Sequence, residues 1–179
     1  MRRVFAIVAG AVLTGALAGS VLAAPGGHIV SASGWRLTPD GVPGVEFMAG
    51  AQVSPGRAIG TFRFGNASLD IGGLVTCGDV AGGVAVLGGR ITSTTEPAYV
   101  GGNFLMWFID NGPTTFGNWG PDEVSLLDVG GGTSATEFGS YPDLPEDFPA
   151  SCPPATGTGF DQVVADGSIR TVLGGVTVH

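Results

Sequence analysis

Oxygen-bearing side chains stand at both ends of one short stretch of this sequence. Asp110, Asn111 and Gly112 begin the stretch, and Asp122 and Glu123 end it. Calcium binds six to eight oxygen ligands, so a loop closed in this way could hold that ion. The spacing matches no EF-hand, and Asp-Asn-Gly also forms ordinary turns at strand ends. We therefore expect a turn, and keep as the alternative a calcium site at Asp110, Asn111, Asp122 and Glu123.

Nucleophilic and acid–base catalysis find few residues to use. The chain has no lysine for a Schiff base and no serine in a Gly-x-Ser-x-Gly elbow. A glycosidase needs two carboxylates, and Asp143, Glu146 and Asp147 lie close together in the sequence. Their loop is rich in proline, however, so we expect these carboxylates to be solvated. No catalytic residue is assigned, and a carboxylate-dependent hydrolase is the third hypothesis for function.

Aromatic residues in the loops could serve binding. Those in candidate strands, Trp35 among them, are mostly explained by core packing. Those in loops could form the rim of a binding site or fold back as a lid over the end of a sheet. This second group comprises Phe116, Trp119, Phe138, Tyr141 and Phe148.

The chain has two cysteines, Cys77 and Cys152, which could form a disulfide or bind a metal. In an exported chain an even pair predicts a disulfide, and this one would close a long loop and stabilise the fold by roughly 4 kcal/mol. Two cysteines are too few for a structural zinc site. The two histidines, His28 and His179, lie on the first and last candidate strands, which a closed sheet would make neighbours.

Residues 1–23 predict an export signal. Two arginines precede an apolar run that ends at Gly19, and Val21-Leu22-Ala23 supplies the small residues of a cleavage site. A membrane anchor is the alternative. After cleavage behind Ala23 we expect one secreted domain, residues 24–179, with no apolar run as long as a membrane span.

The composition limits the class of partner. Fifteen acidic residues against seven basic ones give a net charge of −8, and removal of the signal arginines makes it more negative. An acidic chain repels phosphate backbones, so we expect no nucleic-acid partner. A hydrophobic content of 44% with 12% charged residues predicts a folded domain. Arginine as the only strong base, with much alanine and glycine, is typical of a bacterial protein.

Short alternating runs separated by turn residues predict an all-β fold of about eight mostly antiparallel strands. Glycines repeated inside the strands favour a curved sandwich or a barrel. No segment keeps helical periodicity for three turns, so we expect no helix. The predicted strands are His28–Leu37, Val45–Val53, Arg57–Gly65, Ser68–Cys77, Val84–Ser93, Tyr99–Asp110, Glu123–Val129 and Ser168–Val178.

Two further features concern what covers the sheet. The run Tyr99–Asp110 is apolar on both faces, which predicts a central strand covered on both sides. Residues 130–160 form a long loop that Cys152 would fasten to the strand carrying Cys77. That loop either covers part of the sheet or is a partly mobile insertion.

Several short motifs follow one another along the chain: Val75-Thr76-Cys77, Gly88-Gly89-Arg90-Ile91-Thr92, Asp110-Asn111-Gly112, Pro121-Asp122, Cys152 and Gly175-Val176-Thr177-Val178-His179. Their order resembles a group of small secreted bacterial all-β proteins to which no activity is assigned. The resemblance spans roughly residues 60–179, and it implies an exported all-β domain with a cysteine pair. We therefore expect a non-enzymatic structural or interaction module outside the cytosol, with a small-molecule-binding β-barrel as the alternative; its partner, protein or small molecule, is unknown.

Overall fold

The computed structural model describes residues 27–55, 57–112, 121–125, 128–130, 147–165 and 169–179. The predicted signal at residues 1–23 lies outside the described residues, and so do four of the loop aromatic residues and two of the three clustered acids. These positions are Phe116, Trp119, Phe138, Tyr141, Asp143 and Glu146.

The described chain is 61% strand and 8% helix, which confirms the all-β prediction. Two of the strands, the first and the third, have the predicted bounds. The nine strands are β1 (His28–Leu37), β2 (Pro43–Ser54), β3 (Arg57–Gly65), β4 (Asp70–Ala81), β5 (Val84–Thr94), β6 (Asn103–Ile109), β7 (Glu123–Val124), β8 (Asp128–Gly130) and β9 (Arg170–Val178).

Two short helices differ from the expectation that the chain has none. A 3-10 helix at Pro97–Tyr99 delays the start of β6, and Glu96 caps it by accepting a hydrogen bond from the Ala98 backbone N–H. The α-helix α1, Thr158–Ala165, has eight residues, so its two turns are too short to produce a helical pattern. Neither helix, within the described ranges, is long and apolar enough to cross a membrane.

The strands form one closed antiparallel barrel. Successive strands pair in the order β5–β4–β3–β2–β1–β9–β7–β6, and pairing of β5 with β6 closes the eight-stranded barrel. β7 and β8 lie in line along β6, so the predicted strand Glu123–Val129 is present but interrupted. Of the two predicted architectures, the curved sandwich and the barrel, the barrel is therefore confirmed.

Alternation along the strands fills the barrel with apolar side chains. On β2, Phe47 and Ala49 are buried, whereas Glu46 and Met48, which alternate with them, are exposed. The rings of Phe62 and Phe104 stack inside the barrel, with their centroids 3.6 Å apart. The interior cluster comprises Val30, Ala32, Phe47, Ala49, Ala51, Val53, Ala58, Phe62, Phe64, Ile71, Val75, Ala85, Leu87, Ile91, Phe104, Met106, Phe108, Val124, Val172 and Val176.

A second cluster lies on the outside of the barrel, beneath residues 147–165, which we call the cap. Phe148 of the cap is buried together with Val86, Leu105 and Trp107, which point outward from β5 and β6. β6 is consequently buried on both faces, by the barrel interior and by the cap. This confirms the prediction of a strand covered on both sides.

The disulfide between Cys77 and Cys152 fastens the cap to β4, as predicted, with Cα atoms 5.2 Å apart. The register of β4 against β5 shifts between Val75 and Cys77, which marks a bulge at Thr76. A bulge re-aims side chains, and here both Thr76 and Cys77 reach the cap. Thr76 Oγ1 donates a 2.6 Å hydrogen bond to the Pro149 carbonyl oxygen.

β1 and β9 approach each other closely at two opposed glycines. Gly34 and Gly174 face each other across the strands, and both have positive φ, +149° and +144°. A Cβ atom on either residue would collide with a backbone carbonyl oxygen of the other strand. Only glycine allows this approach, which places the next cross-strand pair, Trp35 and Leu173, side by side on the outer face.

Candidate functional site

Two acids of the alternative calcium site, Asp110 and Asp122, lie where the barrel closes. β7 pairs with β9 at only two register positions. Beyond that short ladder, carboxylates bond to the β9 backbone: the Val176 N–H donates to Asp122 Oδ2 at 2.7 Å, and the Val178 N–H donates to Asp110 Oδ2 at 2.9 Å. We call these two acids and their β9 partners the seam. The two carboxylates accept β9 backbone hydrogen bonds that the backbone of a longer β7 would otherwise accept.

The remaining carboxylate oxygens of the seam are also occupied. Asp110 Oδ1 accepts from the Gly112 N–H at 2.8 Å, and Asp122 Oδ1 accepts from the Asn111 N–H at 3.0 Å. In the described part of the chain, no three His, Cys, Asp or Glu side chains could together hold a metal ion. These hydrogen bonds are the ones expected of the turn, and the calcium site at Asp110, Asn111, Asp122 and Glu123 stays the alternative prediction.

Phe148 is the one predicted rim aromatic that falls within the described residues. It is 6% exposed and belongs to the buried cluster beneath the cap. Its ring lies beside the disulfide, because a Cβ on Gly88 would be 2.8 Å from both Phe148 Cε2 and Cys152 Sγ. Phe148 is therefore a packing residue of the cap, which agrees with the alternative of a loop aromatic that folds back over the sheet rather than with a place on a rim.

The two histidines meet because β1 and β9 are neighbours. His28 Nδ1 lies 3.2 Å from the His179 backbone oxygen. Ile29 and His179 also exchange backbone hydrogen bonds of 2.8 Å and 3.0 Å. The contact joins the two strand ends and gives the histidines a structural role.

A groove of about 450 Å³ lies on the outer face of β1, β2 and β3 and reaches the loop between β3 and β4. We call this cleft the groove. Its lining comes from β1, β2, β3 and the start of β4, and it combines an indole, a thioether, two carboxylates, a guanidinium and an amide. These groups belong to Trp35, Met48, Glu46, Asp70, Arg63 and Asn66.

Strand register places the side chains of the groove in two rows. Trp35 on β1 lies directly opposite Glu46 on β2, and Met48 on β2 lies directly opposite Arg63 on β3. Residues directly opposite each other in a sheet have Cβ atoms about 5 Å apart. The indole and the Glu46 carboxylate are therefore neighbours on one surface.

Arg63 and Asp70 form the ion pair of the groove. Arg63 Nε donates to Asp70 Oδ1 at 2.8 Å, and Nη2 donates to Oδ2 at 3.0 Å. The hydrogen bond and charge of Asp70, with a smaller contribution from Glu46, raise the pKa of Arg63. The hydrogen bond from Arg63 lowers the pKa of Asp70 below its usual value. Because the pair is exposed to solvent, it adds little to stability, but it holds the guanidinium in one place.

The loop between β3 and β4 forms one wall of the groove. Asn66 Oδ1 accepts hydrogen bonds from the backbone N–H groups of Ser68 at 2.9 Å and Leu69 at 3.0 Å. The Asp70 N–H donates to Thr95 Oγ1 at 3.0 Å. These bonds fix the loop and hence the position of the Asp70 carboxylate.

Sequence reasoning missed the groove, although one signal was present. Trp35 was assigned with the core aromatics, but it is 41% exposed, and Met48 is 60% exposed. The alternation places Trp35 on the same face of β1 as Ser31 and Ser33, and serines do not build a core. A tryptophan that follows two serines on one strand face indicates a surface position rather than a core position.

Comparison of this chain with protein-family models, with curated proteins and with solved structures found no match.

Proposed function

We propose that this protein is a non-enzymatic interaction module that works outside the cytosol and binds its partner through the groove. The observation that carries the proposal is the exposure of Trp35 and Met48 on the outer wall of a closed barrel. A barrel wall is rigid, and sites on rigid elements hold their contact groups in place before binding. Tryptophan and methionine are also enriched at protein interfaces.

The apolar surface around the groove supports the proposal. Trp35 is 41% exposed, Met48 is 60% exposed, and Leu173, directly opposite Trp35 on β9, is 53% exposed. Single exposed apolar residues are common, but a group of large ones on one sheet face is typical of an interaction site. Polar groups at its edge, the Arg63–Asp70 pair and Asn66, match the usual pattern of an apolar centre with a polar rim.

The barrel interior favours the outer face over a ligand held inside. A small-molecule-binding barrel needs an interior cavity. Here Phe47, Phe62, Phe104 and Met106 all point inward and none is more than 6% exposed. Side chains therefore occupy the space that an interior ligand would require.

The carboxylates also favour binding over hydrolysis. A glycosidase needs one acid with a raised pKa beside a second carboxylate. In the groove, Asp70 stands with Glu46, but Arg63 shifts the pKa of Asp70 downward and uses both of its oxygens. Asp147, the described member of the loop acids, is exposed and accepts a 2.8 Å bond from Ser151 Oγ.

Export is part of the proposal. The disulfide is consistent with an oxidising compartment outside the cytosol. The signal pattern at residues 1–23 and the acidic composition support the same location.

A ligand screen read by two-dimensional NMR tests the proposal. The domain 24–179 is labelled with ¹⁵N and mixed with small fragments, sugars and short peptides, and the shifted signals are mapped. We expect hits to cluster at the groove and to be weakened in Met48→Ala, which removes apolar contact without changing charge. Ile59→Ala is the matched control, because Ile59 is 59% exposed on β3 but does not line the groove. Hits confined to other surfaces, or equally weakened in both variants, would contradict the proposal.

A further inference from the structure

We propose that the groove receives a cationic side chain, arginine or lysine, from a partner polypeptide. This inference rests on the proposed function and names the chemistry of the ligand. It follows from the charges in the groove, from the position of the indole, and from the charge of the whole chain.

Among the residues that the structure describes, Glu46 is the one charged group of the groove without a hydrogen-bonded or ion-paired partner. Both Asp70 oxygens accept hydrogen bonds from Arg63, so those two charges neutralise each other. Glu46 is exposed and contributes to the pKa of Arg63 only through space. A ligand cation placed beside Glu46 gains a favourable charge interaction without displacing the Arg63–Asp70 pair.

The indole of Trp35 adds a second attraction for a cation. Trp35 lies directly opposite Glu46, so a guanidinium or ammonium group between them faces both an aromatic ring and a carboxylate. Tryptophan is the aromatic residue that attracts cations most strongly, and arginine stacks on it readily. The carboxylate and the indole together therefore select a positive group over a neutral one.

Met48 suits the rest of such a side chain. It is 60% exposed and stands next along β2 on the same outer face as Glu46. Lysine and arginine carry apolar stems that pack against surfaces of this kind while their charged ends stay polar-bonded. The volume of about 450 Å³ accommodates the stem as well as the charged end.

The charge of the whole chain points to the same class of partner. A net charge of −8, before removal of the two signal arginines, attracts a basic segment and repels an acidic one. Association with such a partner is therefore accelerated at low salt and slowed as salt rises.

The test is a titration of the ¹⁵N-labelled domain 24–179 with the peptide acetyl-Gly-Gly-Arg-Gly-Gly-amide. The matched probe carries citrulline, which has the shape of arginine without its charge, and maltotriose serves as a neutral sugar. The Trp35 indole signal is identified by its absence in Trp35→Leu. We expect the arginine peptide to bind at the groove about fivefold more tightly than the citrulline peptide. Raising sodium chloride from about 50 to about 500 mM should remove most of that difference.

Two charge variants should change the affinity for the arginine peptide in opposite directions. Glu46→Gln removes the unpaired carboxylate and should weaken arginine binding about threefold. Arg63→Gln frees Asp70 and should strengthen it about threefold, which a site for anions or sugars would not do. Asp161→Asn makes the same charge change as Glu46→Gln on the exposed surface of α1 and should leave binding unchanged.

The outcomes separate this inference from the proposed function. Equal binding of the arginine and citrulline peptides, preference for maltotriose, or weaker binding by Arg63→Gln would overturn the cationic ligand while the groove remained a binding site. Fragment hits that avoid the groove altogether would overturn both.

Discussion

Removal of the Asp122 carboxylate should destabilise the barrel where β7 and β9 pair at only two register positions. In Asp122→Ala, the Val176 N–H loses an acceptor at 2.7 Å and the Asn111 N–H loses one at 3.0 Å. Hydrogen bonds to a charged group each contribute about 1.5–3 kcal/mol, with the higher values where the partner stays buried. Val176 is 4% exposed and Asn111 is partly exposed, so we expect a total loss of about 3–4 kcal/mol.

Urea unfolding of the oxidised domain 24–179, followed by circular dichroism, measures this loss. In a thermal scan it corresponds to about 10 °C, since a domain of this size loses about 3 °C per kcal/mol. Asp122→Asn keeps one acceptor oxygen and should lose about half as much. Asp40→Asn, at an exposed turn between β1 and β2, is the control and should change stability by less than about 0.5 kcal/mol. If Asp122→Ala were as stable as Asp40→Asn, the carboxylates would not be closing the barrel.

Three further predictions concern the cap and the ion pair. Gly88→Ala should destabilise by about 1–3 kcal/mol, because the new methyl group would meet the disulfide and the Phe148 ring at 2.8 Å, while Gly50→Ala, with nothing within 4 Å, should be neutral or slightly stabilising in the same urea assay. Serine at both cysteines should lower stability by roughly 4 kcal/mol and should raise amide exchange in the cap more than in the strands; uniform exchange would contradict a separately fastened cap. The Asp70 carboxyl should titrate below its ordinary range in an NMR pH series and return to it in Arg63→Gln. The Asp70 contribution is fully present above the unfolded-state pKa and is lost as the pH falls through the lowered folded-state pKa, so a shift surviving in Arg63→Gln would refute the pairing.

Much of the fold could be predicted because strand alternation and turn residues are local signals. The alternation of Phe62 and Phe64 with polar neighbours placed both in the core, where they are 6% exposed. The doubly apolar β6 predicted a covered strand, and the single pair of cysteines predicted the bond that holds its cover. α1 was missed because two turns give no clear periodicity, and its position on the barrel depends on contacts far away in the sequence.

The site could be predicted only in part, because it depends on register. The sequence places Asp110 and Asp122 at the two ends of one loop, but their hydrogen-bond partners lie on β9, more than fifty residues away. The groove arises only when β1, β2 and β3 are set side by side, which places Trp35 opposite Glu46. No local sequence pattern predicts that Trp35 and Glu46 lie opposite each other. The serines on the same face as Trp35 are the one local sign that Trp35 is exposed.

The barrel contains its own pair of reporters for the central claim that binding occurs on the outer wall. The chain has three methionines, of which Met1 belongs to the predicted signal, Met48 lies in the groove at 60% exposure, and Met106 lies in the barrel interior at 2% exposure. With ¹³C-methyl methionine in the domain 24–179, titration with the arginine peptide should shift the Met48 methyl signal and leave Met106 unchanged. A shift of Met106 without one of Met48 would place the ligand inside the barrel and contradict the account.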